Sequence, residues 1–339
     1  MRITVAILAR NEGGTIGAML ADLARQTLFD EDHSFEIIVY ANDCRDDTAG
    51  QAQAAFAAHF GDTAVATRVV VSPEGGKTRA WNAVVHSVAD PLTDLFVFCD
   101  GDIVFARPDT IADMIALWNG GGEIRAVTGN LLKNIHRKPN KNLLDHASLT
   151  LSNAARLPNA LNGSLYVIGG DEARKIWLPV PLPGEDGFLS AMIKTNGFTE
   201  QPVEGRIISP CRTTHYYEAH TLKGYFRHEK RITMGTTING WLCEELWSLG
   251  LREHAGSLIW QRNSDTPGWV ADVMRGKMNG RSWVVPARLL TWRLGHVTSL
   301  PLREAAMRLP LALGATALNI VPSITANREL KRDQAAGFW

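Results

Sequence analysis

Four times in the first hundred residues an apolar run stops and a polar cluster follows it. ITVAILA (residues 3–9) gives way to Arg10, Asn11 and Glu12, after which Ile16, Met19, Leu20 and Leu23 recur at helical spacing, predicting strand, loop and helix. FEIIVYA (35–41) repeats the pattern, with NDCRDDT as a polar turn rich in N-capping residues and a helix over 49–60. TRVVVS (67–72) leads through PEGG into a third helical stretch, KTRAWNAVVHSVAD, and LFVFCD (95–100) closes the series. Phe96 to Cys99 is continuous rather than alternating, as a strand buried on both faces is. Strands alternating with helices imply right-handed crossovers and a mostly parallel, doubly wound α/β sheet, with ligands at the carboxyl ends of its strands. The clusters at 9–12, 42–47, 75–82 and 100–102 each follow a strand and would share one rim, where a nucleotide site belongs.

Composition narrows the class without naming it. A chain of 339 residues with 45% hydrophobic and 21% charged residues can bury a large core and suggests one big domain with an extension, or two moderate ones. The 35 basic and 35 acidic residues cancel, so no global field argues for a nucleic-acid partner. Cysteines 44, 99, 211 and 243 show no CxxC spacing, which predicts a reduced, cytoplasmic protein. The opening MRITVAILARNE turns polar too soon for a signal peptide, and no run of 18 consecutive apolar residues predicts an ordinary transmembrane helix.

The sharpest chemical signal is DGD at 100–102. If the backbone stays extended there, Asp100 and Asp102 aim the same way, and each raises the other's pKa unless positive charge intervenes. Either the pair is a solvated loop or it holds a divalent cation, with Gly101 letting the chain turn around it.

Taken in order, these segments resemble the family 2 glycosyltransferases, which have the GT-A fold. ILARNE is similar to that family's P-x-Y-N-E opening, YANDCRDDT to its V-D-D-x-S-x-D-x-T turn, and GGKTRAWNAVV to its G-K-x-x-A-x-N-x-G segment. CDGD resembles its metal-binding D-x-D, and PGEDGFLSAMI (183–193) the late E-D motif that supplies the catalytic base. The resemblance implies an inverting transfer of sugar from a nucleotide sugar, with UDP as carrier, to a hydroxyl of a lipid, lipid-linked or saccharide acceptor. It places Ala9, Asn11, Glu12 and Asp43 about the nucleotide base, with Asn42 standing where the family usually has an Asp. It puts Lys77 and Asn82 on the donor side, with Lys77 near the diphosphate. Asp102 is then the metal ligand for Mn²⁺ or Mg²⁺, joined by Asp100, which with Gly101 also borders the donor. Asp186 is the base, oriented by Glu185, and Gly169 and Gly170 lie under the acceptor. His215 closes the metal shell or is structural; Arg227 and Arg231, one helical turn apart, clamp the diphosphate or form an ordinary basic face. A sugar-phosphate nucleotidyltransferase is disfavoured because ARNEGGTIG has no Arg or Lys after Thr15, and a catalytically dead scaffold because both acid pairs are present.

Residues 1–235 are accordingly assigned to catalysis and 236–339 to a helical extension. Trp241, Leu242, Leu246, Trp247, Leu249 and Leu251 predict helix, and Trp260, Trp269, Trp283 and Trp292 continue the aromatic theme. Arginines 281, 288, 293, 303 and 308 face one acid, Glu304, before an uncharged stretch over 309–327 that ends in RELKR. The pattern predicts helices lying on an anionic membrane surface, peripheral to the inner face of the cytoplasmic membrane, or else packing on the core or forming a homodimer. Pro310, Gly314, Asn319 and Pro322 are expected to interrupt the uncharged stretch before it spans a bilayer.

Overall fold

The four apolar runs become β1 (Arg2–Ala9), β2 (Ser34–Asn42), β3 (Ala66–Ser72) and β4 (Leu95–Cys99) of a computed structural model that describes residues 1–142, 145–146, 148–149, 159–218, 222–298 and 300–332. Side chains alternate across a strand, so in β1 Ile3, Val5, Ile7 and Ala9 enter one core while Ala6 and Leu8 enter another. Burial on both sides is why the run carries no polar alternation.

The polar breaks between the runs turn into helices α1 (Ile16–Leu23), α2 (Thr48–Phe60) and α3 (Lys77–Ala83). There follow β5 (Val104–Phe105), α4 (Thr110–Asn119), β6 (Ala126–Thr128), β7 (Asn130–Lys133), β8 (Leu165–Gly169), α5 (Gly170–Lys175) and α6 (Glu185–Lys194). Strands β9 (Ile207–Ile208) and β10 (Thr214–Tyr217) complete a seven-stranded sheet, ordered β3-β2-β1-β4-β8-β6-β9, and a small sheet, β5-β10-β7. The fold is mixed α/β with a mostly parallel central sheet.

One strand runs the other way. β8 pairs antiparallel with β4, Leu165 opposite Cys99 and Gly169 opposite Leu95. Its start, not its end, therefore lies beside Asp100, and Gly169 and Gly170 sit at the opposite end of the sheet. This corrects their expected place under the acceptor. Their smallness has a packing cause: a Cβ on Gly169 would lie 2.9 Å from the Trp118 ring, and one on Gly170 2.0 Å from the Thr93 carbonyl.

The C-terminal part is helical: α7 (Leu222–Ser248), α8 (Gly256–Asp265), α9 (Trp269–Met278), α10 (Ala287–Thr298) and α11 (Leu302–Lys331). The expected boundary after residue 235 falls inside α7. Met234, Ile238, Trp241, Trp269 and Leu330 share one core with Ala6, Phe96 and Phe188, so these helices pack on one face of the sheet. Trp241 and Trp269 are thus core residues rather than surface anchors, while Trp247, Trp260 and Trp283 are partly exposed. The side chains of Trp292, Arg293 and Cys211 lie outside the described residues.

The expected break in the uncharged stretch does not occur. α11 continues through Pro310 and Pro322, because packing against α7 and α10 offsets the backbone bond each proline removes, a loss of about 3 kcal/mol. By length and composition α11 is able to cross a membrane.

The contact at Gly170 gives a direct check on strand direction. Gly170→Ala is expected to destabilise the protein by about 1–3 kcal/mol, since the rigid Thr93 backbone cannot give way. A lower urea-unfolding midpoint is the expected reading, and an unchanged midpoint would mean that β8 does not approach β4 in this register.

Candidate active site

The rim at the carboxyl ends of β1, β2 and β4 is stitched together by its own polar groups. Ala9 ends β1 fully buried, and the next residue, Arg10, pairs with Asp43. Asn11 and Asp43 both adopt positive φ, 57° and 45°, a conformation short polar side chains tolerate. Asn11 Oδ1 accepts the Arg45 N–H at 2.8 Å, and the Glu12 N–H donates to Thr48 Oγ1 at 2.8 Å. Asn42 donates its amide to the Gly76 carbonyl at 3.1 Å, tying the end of β2 to the loop before α3. The first and second loops are held as one floor.

Residues 101 and 102 form a turn, so the extended backbone supposed for the DGD segment is not what aims its carboxylates. A Cβ at Gly101 would lie 3.2 Å from both Glu12 Cγ and Ile16 Cδ1, a tight fit that a larger residue would enter only by shifting those side chains. Burial raises the Glu12 carboxyl to about 7, with repulsion from Asp102, Asp100 and Asp46 adding to it against the Thr15 hydroxyl bond. Asp102 opens onto solvent, yet the walls of the cleft and then Asp100 raise it too.

Lys77, the first residue of α3, answers part of this charge. Its Nζ lies 2.8 Å from Asp100 Oδ1, 3.0 Å from Glu185 Oε1 and 3.3 Å from the Gly163 carbonyl, which uses all three N–H bonds of the ammonium. Burial works against that charge, but the two carboxylates more than offset it and raise the lysine pKa.

Glu185 and Asp186 open α6. Burial raises Asp186 to about 6, helped by Glu185 and tempered by Lys77, the Gly187 N–H at 2.8 Å and Arg231. The start of α6 is fixed by α7: Asn239 donates to the Gly184 carbonyl at 2.7 Å, and Gly235 passes so close that a Cβ would lie 2.6 Å from the Pro183 carbonyl. Arg227 and Arg231 are exposed on the same helix, and Arg231 is the one whose charge reaches Asp186.

One expected site residue is used elsewhere, and another lies one hydrogen bond from the rim. Asn82 binds both backbone groups of Leu178, at 2.9 Å each, and so clamps two segments of the core. His215 is fully buried in the small sheet, its Nε2 2.7 Å from Ser164 Oγ, and burial pushes its pKa down to about 3. Among the described residues no three His, Cys, Asp or Glu side chains converge as a ready cage for a cation. The acids still suit one. Crowded carboxylates with raised pKa values are relieved by an oxygen-preferring divalent ion, and such an ion is commonly held by one or two carboxylates with substrate phosphates completing its shell.

The structure also adds residues that the sequence pattern passed over. Gly163 and Ser164 stand at the rim because β8 is antiparallel; Ser164 O accepts the Asp100 N–H at 2.9 Å. A Cβ on Gly163 would lie 3.0 Å from Glu185 Oε1. Small residues just before the apolar run LYVIG were the available signal, but strand direction is not written in such a run.

The family described as glycosyltransferase like family 2 matches residues 1–235. Among solved structures, a mannosyltransferase from Pyrobaculum calidifontis in complex with GDP-Man and Mn²⁺ aligns over 99% of this chain and 85% of its own, at 17% identity and a TM-score of 0.54. A glucosyl-3-phosphoglycerate synthase from Mycobacterium tuberculosis in complex with Mg²⁺ and uridine diphosphate covers 70% of this chain and 79% of its own, at 18% identity and a TM-score of 0.48. The first shares the fold. Comparison with curated proteins gave no match.

Removing the lysine leaves two acids facing each other without a counter-charge. Lys77→Met is expected to cost about 3 kcal/mol of stability, as breaking a sheltered ion pair does. Urea unfolding of the two proteins side by side measures it; equal stability would mean that the bridge carries no energy.

Proposed function

This chain belongs to the family described as glycosyltransferase like family 2, over residues 1–235, and we propose that it transfers a sugar, with inversion, from a nucleotide sugar to an acceptor hydroxyl. The observation that carries the reading is the Lys77 bridge between Asp100 on the donor side and Glu185, next to the raised Asp186, on the acceptor side. The sheet domain with α7 does the chemistry, and the helices that follow α7 form an extension, packed on the same core, that contacts a membrane or a second copy.

In this reading the nucleotide base lies along Ala9, Asn11, Glu12 and Asp43, and the diphosphate comes toward Lys77. Asp186 accepts the proton of the acceptor hydroxyl while its oxygen attacks the anomeric carbon. The bond to the diphosphate breaks on the far side, and the proton ends on Asp186. A carboxyl raised toward 6 suits this work because it is ionised near neutrality yet basic enough to take a proton. Glu185, fixed by Lys77, orients the base. Arg231 adds positive charge from α7, and Gly163 replaces Gly169 and Gly170 as the small residue beside the acids. Asp102 with Asp100 would hold a divalent cation, Mn²⁺ or Mg²⁺, whose chemistry is to stabilise negative charge on the leaving diphosphate. The donor is a uridine diphosphate sugar by resemblance, and the guanosine diphosphate mannose bound by the Pyrobaculum enzyme is the second donor to test. The acceptor is a lipid, lipid-linked or saccharide hydroxyl, reached in the cytoplasm or at the inner face of its membrane.

Two measurements check this. Thermal shifts against a panel of uridine and guanosine diphosphate sugars should appear with manganese and shrink without it, since stabilisation grows with ligand over its dissociation constant; no shift with any donor would refute the donor reading. Asp186→Asn should slow transfer about 10²–10⁴-fold while leaving the unfolding midpoint near that of the parent. Because the base must be ionised, the parent's kcat should hold above pH 6 and fall about tenfold per unit below it. A rate that stays flat well below pH 6 would remove Asp186 from the role.

A further inference from the structure

The last helix is built inside out. α11 turns Ala312, Ala315, Asn319, Ser323, Ala326 and Asn327 toward the protein, while Leu309, Leu313, Leu318, Ile320, Val321 and Ile324 face outward at 36–59% exposure. A helix on a water-soluble protein does the reverse, burying its large aliphatic side chains and showing its small and polar ones. Hydrogen bonds fix which face is inside. The Tyr225 hydroxyl donates to Asn319 Oδ1 at 3.0 Å, and Asn327 accepts the Val284 N–H at 2.7 Å and donates to the Ser282 carbonyl at 3.3 Å. Small inward residues that let helices approach, with aliphatic residues outside, are the arrangement of helices packed in lipid.

Charge selects the partner. Residues 309–327 carry no charge, a stretch of about 28 Å at 1.5 Å per residue, comparable with the bilayer's hydrocarbon thickness of about 30 Å. Exposed Arg303 and Arg308 precede it, and exposed Arg328, Lys331 and Arg332 follow it. Glu304 lies 3.5 Å from Arg308, and Glu329 is engaged by Lys230 at 2.8 Å, so both ends present net positive charge. The inner face lies on α7, whose Arg227, Glu229, Lys230 and Arg231 bar that helix from hydrocarbon. Only one side of α11 is therefore free for lipid, and it lies in the membrane plane instead of crossing it.

We infer that the outward face of α11 docks into the surface of an anionic lipid bilayer, its aliphatic row among the acyl chains and its flanking arginines among the headgroups. This deepens the proposed transfer by seating the enzyme beside membrane-borne hydroxyls, and it rests on that reading only for what the surface serves. Binding is accordingly measured without donor, so its outcome is separate from that of the transfer assays.

The experiment is sedimentation of the full chain with vesicles of phosphatidylcholine containing a minority of phosphatidylglycerol, beside the double variant Leu313→Glu, Ile320→Glu. The parent is expected to sediment with the vesicles, and the double variant to partition at least about tenfold less. Both positions are open to solvent, so the unfolding midpoint should be shared, which separates lost docking from lost folding. Equal sedimentation of the two proteins, or none by the parent, overturns the inference. So does a parent that is a stable dimer without vesicle affinity and becomes monomeric in the double variant, since the face would then be covered by a second copy.

Discussion

The rest of the site depends on one ammonium group. Lys77 reaches Asp100 at the exit of β4, Glu185 at the start of α6 and the Gly163 carbonyl before β8. Three segments far apart in sequence are thereby held within a few ångströms of one nitrogen. Burial works against its charge, but the two carboxylates outweigh that cost and raise its pKa, so burial does not discharge it near neutral pH. The lysine sets the distance between the acids expected to serve the donor and those expected to serve the acceptor.

That single positive charge does not balance the rim. Glu12 and Asp102 both remain raised by burial and by repulsion from their neighbours. Such crowding costs stability, and in the proposed function it is retained for a ligand that supplies the missing charge. A diphosphate alone would make matters worse; a diphosphate accompanied by a divalent cation would relieve it. The parallel sheet creates the opportunity by ending β1, β2 and β4 at one edge, and α7 completes the site from outside through Asn239, Gly235 and Arg231. Because α7 also carries α11, the apolar outward face of the last helix belongs to the same body as the acids of α6.

The first four strands and their rim were legible in the sequence because they are local: apolar runs with polar breaks specify β1 to β4, and the acids at 12, 43, 100 and 102 follow directly from where those runs end. What was not legible depended on direction or on distant partners. Nothing in LYVIGG says that β8 runs antiparallel, and so Gly169 and Gly170 were expected at the wrong end while Gly163 and Ser164 went unassigned. Asn82 looks like a ligand-binding amide until Leu178, 96 residues away, proves to take both its groups. His215 has no motif spacing around it, and its hydrogen bond to Ser164, whose carbonyl accepts the Asp100 N–H, is a contact that only the fold brings about. The prolines of α11 carried a correct local rule that tertiary packing overrode.

In the proposed function the acids at the end of β4 receive a cation together with its diphosphate. Crystals soaked with manganese and uridine diphosphate, measured for anomalous scattering at a wavelength where manganese absorbs, test it most directly. A peak at the Asp102 carboxylate shared with phosphate oxygens, with Lys77 close by, is the expected result. Nucleotide bound at the rim without manganese, or manganese bound away from Asp102, would contradict it.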